Sequence, residues 1–187
     1  LDVDKGTARP WFDLSENDRY SSPGSPLQRP LANGAWVLHQ DGDAVYFAGR
    51  GAGPEGDRPF LDLRSMSTGE PKRLFRSDPD RYESFVAFVG DDGRFVMRSE
   101  SAAEVPNYHL ATLGEPVDAA PGEAVRARTT QPITRFTDPS PALRELEKRL
   151  VTYARADGVP LSFKLYLPPG TPADAGPLPT VVHAYPL

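Results

Sequence analysis

The 187-residue chain contains 39% hydrophobic and 25% charged residues, a composition typical of a soluble globular protein. Its formal net charge of −5 gives no basic footprint for nucleic acid. No apolar run approaches the roughly 18 residues of a membrane span, and the absence of cysteine excludes disulfides, thiolate metal sites and a cysteine nucleophile.

Short runs of β-branched and aromatic residues with period-two alternation predict two groups of four strands each. The first group covers residues 36–40, 44–49, 60–66 and 72–76, and the second covers residues 84–89, 94–99, 108–113 and 131–136. Consecutive four-stranded units of this length are typical of β-propeller blades, although periodicity alone leaves a β-sandwich open. Upstream, residues 10–14 are expected to end a preceding blade, and residues 15–30 to form a polar connector.

One short helix and one hairpin are predicted after the second group. Ser140 is placed as an N-cap with Pro141 at the first helical position, which predicts two or three helical turns. Residues 148–167 predict a β-hairpin, because Asp157-Gly158 favours a tight turn between two strand-like arms. After a Pro/Gly/Ala loop, residues 180–184 are expected to form a buried strand.

Three patterns that suggest ligand sites have simpler interpretations. Residues 51–56 match G-x-G-x-x-G, but Pro54 and Pro59 prevent the helix that a dinucleotide site needs, so no cofactor is predicted. The acidic clusters lack the ligand spacing of a calcium loop and are interpreted as turn residues. They are Asp41 with Asp43, Asp91 with Asp92, and Asp78 and Asp80 with Glu83. The three histidines, His39, His109 and His183, are not spaced for a zinc site.

Five segments in order resemble serine peptidases of the prolyl oligopeptidase family, and most closely its glutamyl endopeptidase branch. They are QDGDAVYF (40–47), GAGPEGDRPFLD (51–62), RLFRSDPDRYESFVAF (73–88), RSESAAEVPNYHL (98–110) and ITRFTDPSPALRELEKRLVTYARADGVPLSFKLYLPPG (133–170). The segment PTVVHAYP, which contains Tyr185, also resembles the start of the catalytic domain in that family. The resemblance extends over most of the chain from about Arg19 onward.

The resemblance implies a mainly β fold of consecutive four-stranded antiparallel β-propeller blades, followed by the first strands of an α/β-hydrolase domain. Residues 1–136 would be the C-terminal blades, and residues 137–147 a short helical linker. Residues 148–187 would be the N-terminal hairpin and first buried strand of an incomplete hydrolase domain. We therefore expect a fragment whose exposed strand edges and apolar blade faces are only partly covered. The blade faces would come from Trp36, Val45, Phe47, Leu61, Leu63, Phe85, Phe88 and Phe95.

One site residue follows from the resemblance. Tyr185 matches the family tyrosine whose hydroxyl helps to bind the oxyanion of the tetrahedral intermediate. No serine occurs in a G-x-S-x-G nucleophile elbow, so the catalytic triad is expected beyond Leu187. His183 is expected to be a strand residue rather than a catalytic base.

The implied function is that of a serine peptidase cleaving peptides after glutamate by acyl-enzyme hydrolysis, with the propeller gating access. The fragment alone should be inactive. Its expected partners are a peptide substrate and the remainder of its own polypeptide, without nucleic acid or membrane, in a periplasmic or secreted location. Two alternatives stay open: a non-catalytic β-propeller or β-sandwich module that binds protein, and a dipeptidyl or acylaminoacyl peptidase.

Overall fold

The computed structural model describes residues 4–8, 10–120 and 123–184, and it divides the chain into two compact units. The N-terminal unit is Leu1–Thr137 and the C-terminal unit is Asp138–Leu187. The strands in both units pair antiparallel, as predicted. The finer assignment of residues 1–136, 137–147 and 148–187 to blades, linker and hydrolase remains a prediction.

Two larger sheets and one separate hairpin form the described part of the N-terminal unit. The described strands are β1 (Ser25–Pro26), β2 (Gln28–Pro30), β3 (Trp36–Leu38), β4 (Gln40–Asp41), β5 (Ala44–Gly49), β6 (Phe60–Ser65), β7 (Pro71–Arg76), β8 (Arg81–Val89), β9 (Arg94–Ser101), β10 (Asn107–Ala120) and β11 (Glu123–Pro132). The first sheet has the order β1-β5-β6-β7, with β4 also paired to β5, and the second has the order β11-β10-β9-β8. The β2–β3 hairpin pairs separately, and all these pairings are antiparallel.

The described strands overlap the predicted groups, with two differences. Residues 36–40, predicted as one strand, are divided between β3, which pairs with β2, and β4, which pairs with β5. The last pair of the second group also differs. The prediction placed the final strand at residues 131–136, whereas β11 covers Glu123–Pro132 and β10 continues to Ala120. The extended part of β10 contains Gly114 and Pro116. The ladder accommodates them through a register shift between Leu113 and Pro116.

The predicted polar connector at residues 15–30 is wrong at its C-terminal end, because Ser25 and Pro26 pair with Ala48 and Phe47 of β5. The Leu27 N–H donates to the Tyr46 carbonyl over 2.8 Å, and the His39 N–H donates to the Leu27 carbonyl over 2.8 Å. Strands β1 and β4 are thus two parts of one edge strand beside β5. Between β1 and β4, residues 28–38 depart from this edge and form the separate β2–β3 hairpin.

The core lies between the two sheets, where buried apolar side chains of both meet. It consists of Leu61, Leu74, Phe75, Phe95, Met97 and Ala111. The rings of Phe75 and Phe95 lie 5.6 Å apart at an interplanar angle of 63°. The edge-to-face arrangement adds to the area that the two rings bury.

The segment at residues 10–14 covers the outer face of the first sheet and forms no strand, in contrast to the prediction. The ring of Trp11 lies 5.5 Å from that of Phe47, and the ring of Phe12 lies 5.8 Å from it. These rings cover Phe47, which is buried, as are Val45, Leu61 and Phe95. The expectation that these four side chains would be only partly covered is wrong, whereas Trp36 is 64% exposed.

An ionic junction around Glu83, which is 3% exposed, connects the two edge strands of the second sheet, β8 and β11, with the segment between β7 and β8. Its carboxylate accepts hydrogen bonds from Arg128 over 2.5 Å, from the Asp78 backbone N–H over 3.3 Å and from the Ser99 hydroxyl over 3.4 Å. The Arg128 guanidinium also lies 5.0 Å from the centre of the Phe75 ring. A buried carboxylate needs such partners, because burial without them would be strongly unfavourable.

An aromatic cluster forms a second connection between the sheets. The ring of His39 lies 4.9 Å from Tyr46 and 4.8 Å from Phe88, and the latter two rings are 4.9 Å apart. Burial, followed by the charge of Arg29, lowers the pKa of His39, while Asp91 and Asp41 act in the opposite direction. The neutral ring is therefore the form that this cluster favours.

The C-terminal unit contains the predicted hairpin. Strands β12 (Glu147–Ala154) and β13 (Pro160–Leu167) pair from Glu147↔Leu167 to Ala154↔Pro160. Gly158 has a φ of 87° in the turn, where a side chain would be strained.

Two other predictions for this unit are wrong. The helix is reduced to a 3₁₀ turn at Pro141–Leu143, and the Ser140 side chain makes no capping bond. The Ser140 N–H instead donates to Asp138 over 2.8 Å, and β12 begins soon after the turn. Residues 180–184 form no strand, because no described segment of this unit pairs with them, and Val181 is 95% exposed.

We expect acidification to destabilise the fold through His39. The unfolded chain, in which His39 has its ordinary pKa of about 6.5, binds a proton more readily than the folded chain. The stability that depends on neutral His39 is therefore present above about pH 6.5 and is lost as the pH falls through the lower folded-state pKa. Urea unfolding at pH values on both sides of 6.5 should show this loss, and His39→Phe should reduce it. His183→Gln is the control, since that exposed residue makes no ring contact in the described chain. Identical pH dependence in the wild type and His39→Phe would contradict the assignment.

We expect Glu83→Ala to lower the free energy of unfolding by about 1–3 kcal/mol, because it removes the buried acceptor of Ser99 and leaves the part-buried Arg128 with the exposed Asp78 as its remaining ionic partner. Denaturant unfolding measures the loss. Glu147→Ala is the matched control, since it removes an ion pair with Arg149 that is exposed on both sides and should change stability little. Similar losses in the two variants would show that the junction contributes nothing beyond a surface ion pair.

Candidate functional site: a cleft in the N-terminal unit

The predicted oxyanion residue, Tyr185, lies outside the described residues, so its role remains a prediction. His183, close to it in sequence, is exposed and outside any strand. The strand environment expected for His183 is therefore not observed.

The remaining histidines do not gather into a site. His39 belongs to the aromatic cluster between the sheets, and His109 lies in β10 opposite Met97 of β9. Among the described residues, no three His, Asp or Glu side chains lie close enough together to hold a metal ion.

Residues of the acidic clusters make hydrogen bonds and ion pairs within the protein. The Asp43 carboxylate accepts bonds from the Ser65 hydroxyl and the Ser67 N–H, each over 3.2 Å. Asp92 pairs with Arg94 over 2.7 Å, and Asp78 pairs with Arg128 over 3.0 Å. The Arg94 backbone N–H also donates to Asp92 over 3.3 Å, as the turn interpretation predicts, whereas Asp43 and Asp78 bond to residues far along the chain.

The loop at residues 51–56 has the non-helical course that its prolines predict, since it leads directly into β6. The Arg58 N–H donates to the Gly51 carbonyl over 2.9 Å and closes the loop. No helix N-terminus forms in this loop, and the G-x-G-x-x-G match therefore lacks the geometry of a dinucleotide site.

The described part of the N-terminal unit contains an open cleft of about 740 Å³. Three segments form its walls: residues 12–25, residues 48–60 and residues 82–85 of β8. Its volume lies within the range of about 300–1,000 Å³ that is common for ligand sites.

Aromatic rings form a fixed, apolar part of the lining. Phe60 is buried and packs under the Arg73 guanidinium, 4.4 Å from the ring centre. Phe85 lies 4.9 Å from Phe88 and 5.7 Å from Phe95. These contacts hold both rings against the protein interior, so the cleft is largely formed before any ligand binds.

Glycines allow the cleft segments to approach one another. A Cβ on Gly24 would lie 2.4 Å from the Ala48 carbonyl oxygen, and Gly24 has a φ of 78°. A Cβ on Gly49 would lie 2.6 Å from the Phe60 ring. Substitution at either position would displace the wall.

Both signs of charge line the cleft. Glu16, Asp18 and Asp57 supply carboxylates, and Arg19 and Arg50 supply guanidinium groups. Hydrogen bonds from Ser21, first from its backbone N–H, lower the pKa of Asp18. Asp18 also accepts the Tyr20 N–H over 3.1 Å and so orders the turn that carries Arg19.

Sequence reasoning missed this cleft, because its walls come from segments far apart in the chain. The sequence around the cleft indicates some of its turns but not their proximity. The turn around Asp18 and the loop at residues 51–56 are evident as turn sequences, but their proximity depends on the pairing of β1 with β5.

No protein-family model and no solved structure matches the chain. Within the described residues, no helix is both long and apolar enough to cross a membrane.

Two curated plant proteins are similar to the chain. It is 37% identical over 191 residues to a protein of Oryza sativa subsp. japonica, named "Probable glutamyl endopeptidase, chloroplastic". It is 35% identical over 192 residues to an Arabidopsis thaliana protein of the same name. Each match covers 94% of this chain but only 19% of the relative, so the chain spans about a fifth of the length of these proteins. Their names refer to the chloroplast, which does not fit the periplasmic or secreted location expected from the sequence. The chain is thus similar, along nearly all its length, to one part of proteins named as peptidases.

Proposed function

We propose that the chain is part of a serine peptidase of the prolyl oligopeptidase family that cleaves polypeptides on the carboxyl side of glutamate. The observation that carries this proposal is the identity of 35–37% over 94% of the chain to the two relatives named glutamyl endopeptidase. The partners of this segment are then a peptide substrate and the remainder of its own polypeptide.

The fold supports the proposal. Two four-stranded sets of antiparallel pairings pack together through one apolar core, as neighbouring propeller blades do. Neither sheet closes on itself in the described part of the chain, and further blades are needed to complete a ring. The hairpin β12–β13 is compatible with the start of an α/β-hydrolase domain.

In the proposed mechanism, a serine outside this segment attacks the peptide carbonyl, while a histidine takes the hydroxyl proton and later protonates the leaving amine. The resulting acyl-enzyme is hydrolysed by water. This segment supplies the Tyr185 hydroxyl as a hydrogen-bond donor to the oxyanion, and the N-terminal unit restricts access to the site. Because the nucleophile lies elsewhere, residues 1–187 alone are inactive.

The first test of the proposal compares the intact protein with residues 1–187. The intact protein should hydrolyse short glutamyl substrates and react with a fluorophosphonate probe, whereas the 187-residue chain should do neither because it lacks an activated nucleophile. Probe labelling of the short chain that a serine substitution abolishes would contradict the proposed division. An intact protein without glutamyl hydrolysis would refute the function.

Tyr185→Phe in the intact enzyme should lower kcat by roughly 10-fold or more with little change in KM, since the hydroxyl acts mainly in the transition state. Steady-state kinetics on a short glutamyl substrate measure the change. Tyr166→Phe is the matched control, because it removes a hydroxyl from the exposed side chain of a hairpin tyrosine. An unchanged kcat in Tyr185→Phe would place the oxyanion donor elsewhere.

A further inference from the structure

We propose that the cleft of the N-terminal unit binds an extended segment of the polypeptide substrate, away from the bond that is cleaved. This inference rests on the proposed function, which makes a polypeptide the substrate. It adds a second contact site, formed by residues 12–25, residues 48–60 and the first half of β8.

The apolar lining provides places for peptide side chains. Phe12 and Leu14 are 37% and 46% exposed on one wall, and Phe60 and Phe85 are held in place by their own packing. Apolar side chains left open beside a preformed cleft gain free energy when a ligand covers them.

The polar groups of the cleft are available for a ligand. In the described part of the chain, the side chains of Arg19 and Arg50 make no ion pair or hydrogen bond, and neither do those of Tyr82 and Ser84. Guanidinium and hydroxyl groups can donate to peptide carbonyls and to acidic side chains.

The mixed charge favours a peptide over a ligand of one sign. The carboxylates of Glu16 and Asp57 face the same cleft as the two arginines, which disfavours a polyanion such as a nucleotide phosphate. A polypeptide offers carbonyl acceptors, N–H donors and side chains of both charges, and so can satisfy all these groups together.

Charge-reversed variants of the intact protein test the inference. The active site is blocked with the fluorophosphonate, and binding of a long, fluorescently labelled peptide with acidic and aromatic side chains is followed by anisotropy. Arg19→Glu and Arg50→Glu should each weaken binding by about fivefold or more. Both arginines are exposed, so the variants should fold. Arg135→Glu is the charge-matched control at an exposed arginine outside the cleft, and it should bind like the wild type.

Kinetics provide a second readout. In the unblocked enzyme, Arg19→Glu and Arg50→Glu should raise KM for a long peptide substrate while leaving kcat and the hydrolysis of a short glutamyl substrate unchanged. Equal peptide affinity in all variants, or no peptide binding by the wild type, would overturn the inference. Absence of short-substrate hydrolysis by the wild type would refute the proposed function instead, and the anisotropy measurement would still decide whether the cleft binds peptide.

Discussion

The N-terminal unit depends on the hydrogen bonds that the backbone N–H and C=O groups of β8 make where the two sheets meet. Ser77, fully buried after the end of β7, donates its hydroxyl to the Arg81 carbonyl over 2.7 Å and accepts the Glu83 N–H over 2.9 Å. One side chain thereby makes the two bonds that a neighbouring strand would make. Without it, two polar backbone groups at a crowded junction would lack partners, which is costly in a protein interior.

The same serine connects the junction to the cleft. Its N–H donates to the Pro59 carbonyl over 2.8 Å, and its carbonyl accepts two bonds from the Arg58 guanidinium over 3.1 and 2.9 Å. The loop that precedes β6 is therefore tied to the start of β8. Tyr82, Ser84 and Phe85, the neighbours of Glu83 along that strand, line the cleft. Fixing Glu83 at the ionic junction thus also fixes one wall of the cleft.

The predictions that succeeded rest on local patterns, and those that failed depend on distant partners. Ala44–Gly49 was predicted with its observed bounds, since alternation along a half-buried strand is visible in the sequence. The turn at Gly158 was equally evident.

The strand at Ser25 and Pro26 could not be predicted, because two residues show no periodicity and the strand forms only by pairing with β5. The burial of Glu83 was likewise hidden, since the Arg128 that neutralises it lies 45 residues away. The cleft depends on pairings between distant segments, so only its individual turns could be predicted from the sequence.

The failed strand at residues 180–184 has an instructive physical basis. The apolar run Thr180, Val181 and Val182 has high β propensity, yet a single strand forms no hydrogen bonds with itself. In the described chain no strand pairs with this run, whereas β12 and β13 pair with each other over eight residue pairs. The difference lies in pairing rather than in composition. Propensity therefore indicates which segments can become strands, and a partner decides which of them do. In the proposed enzyme, that partner is a strand contributed by the rest of the hydrolase domain.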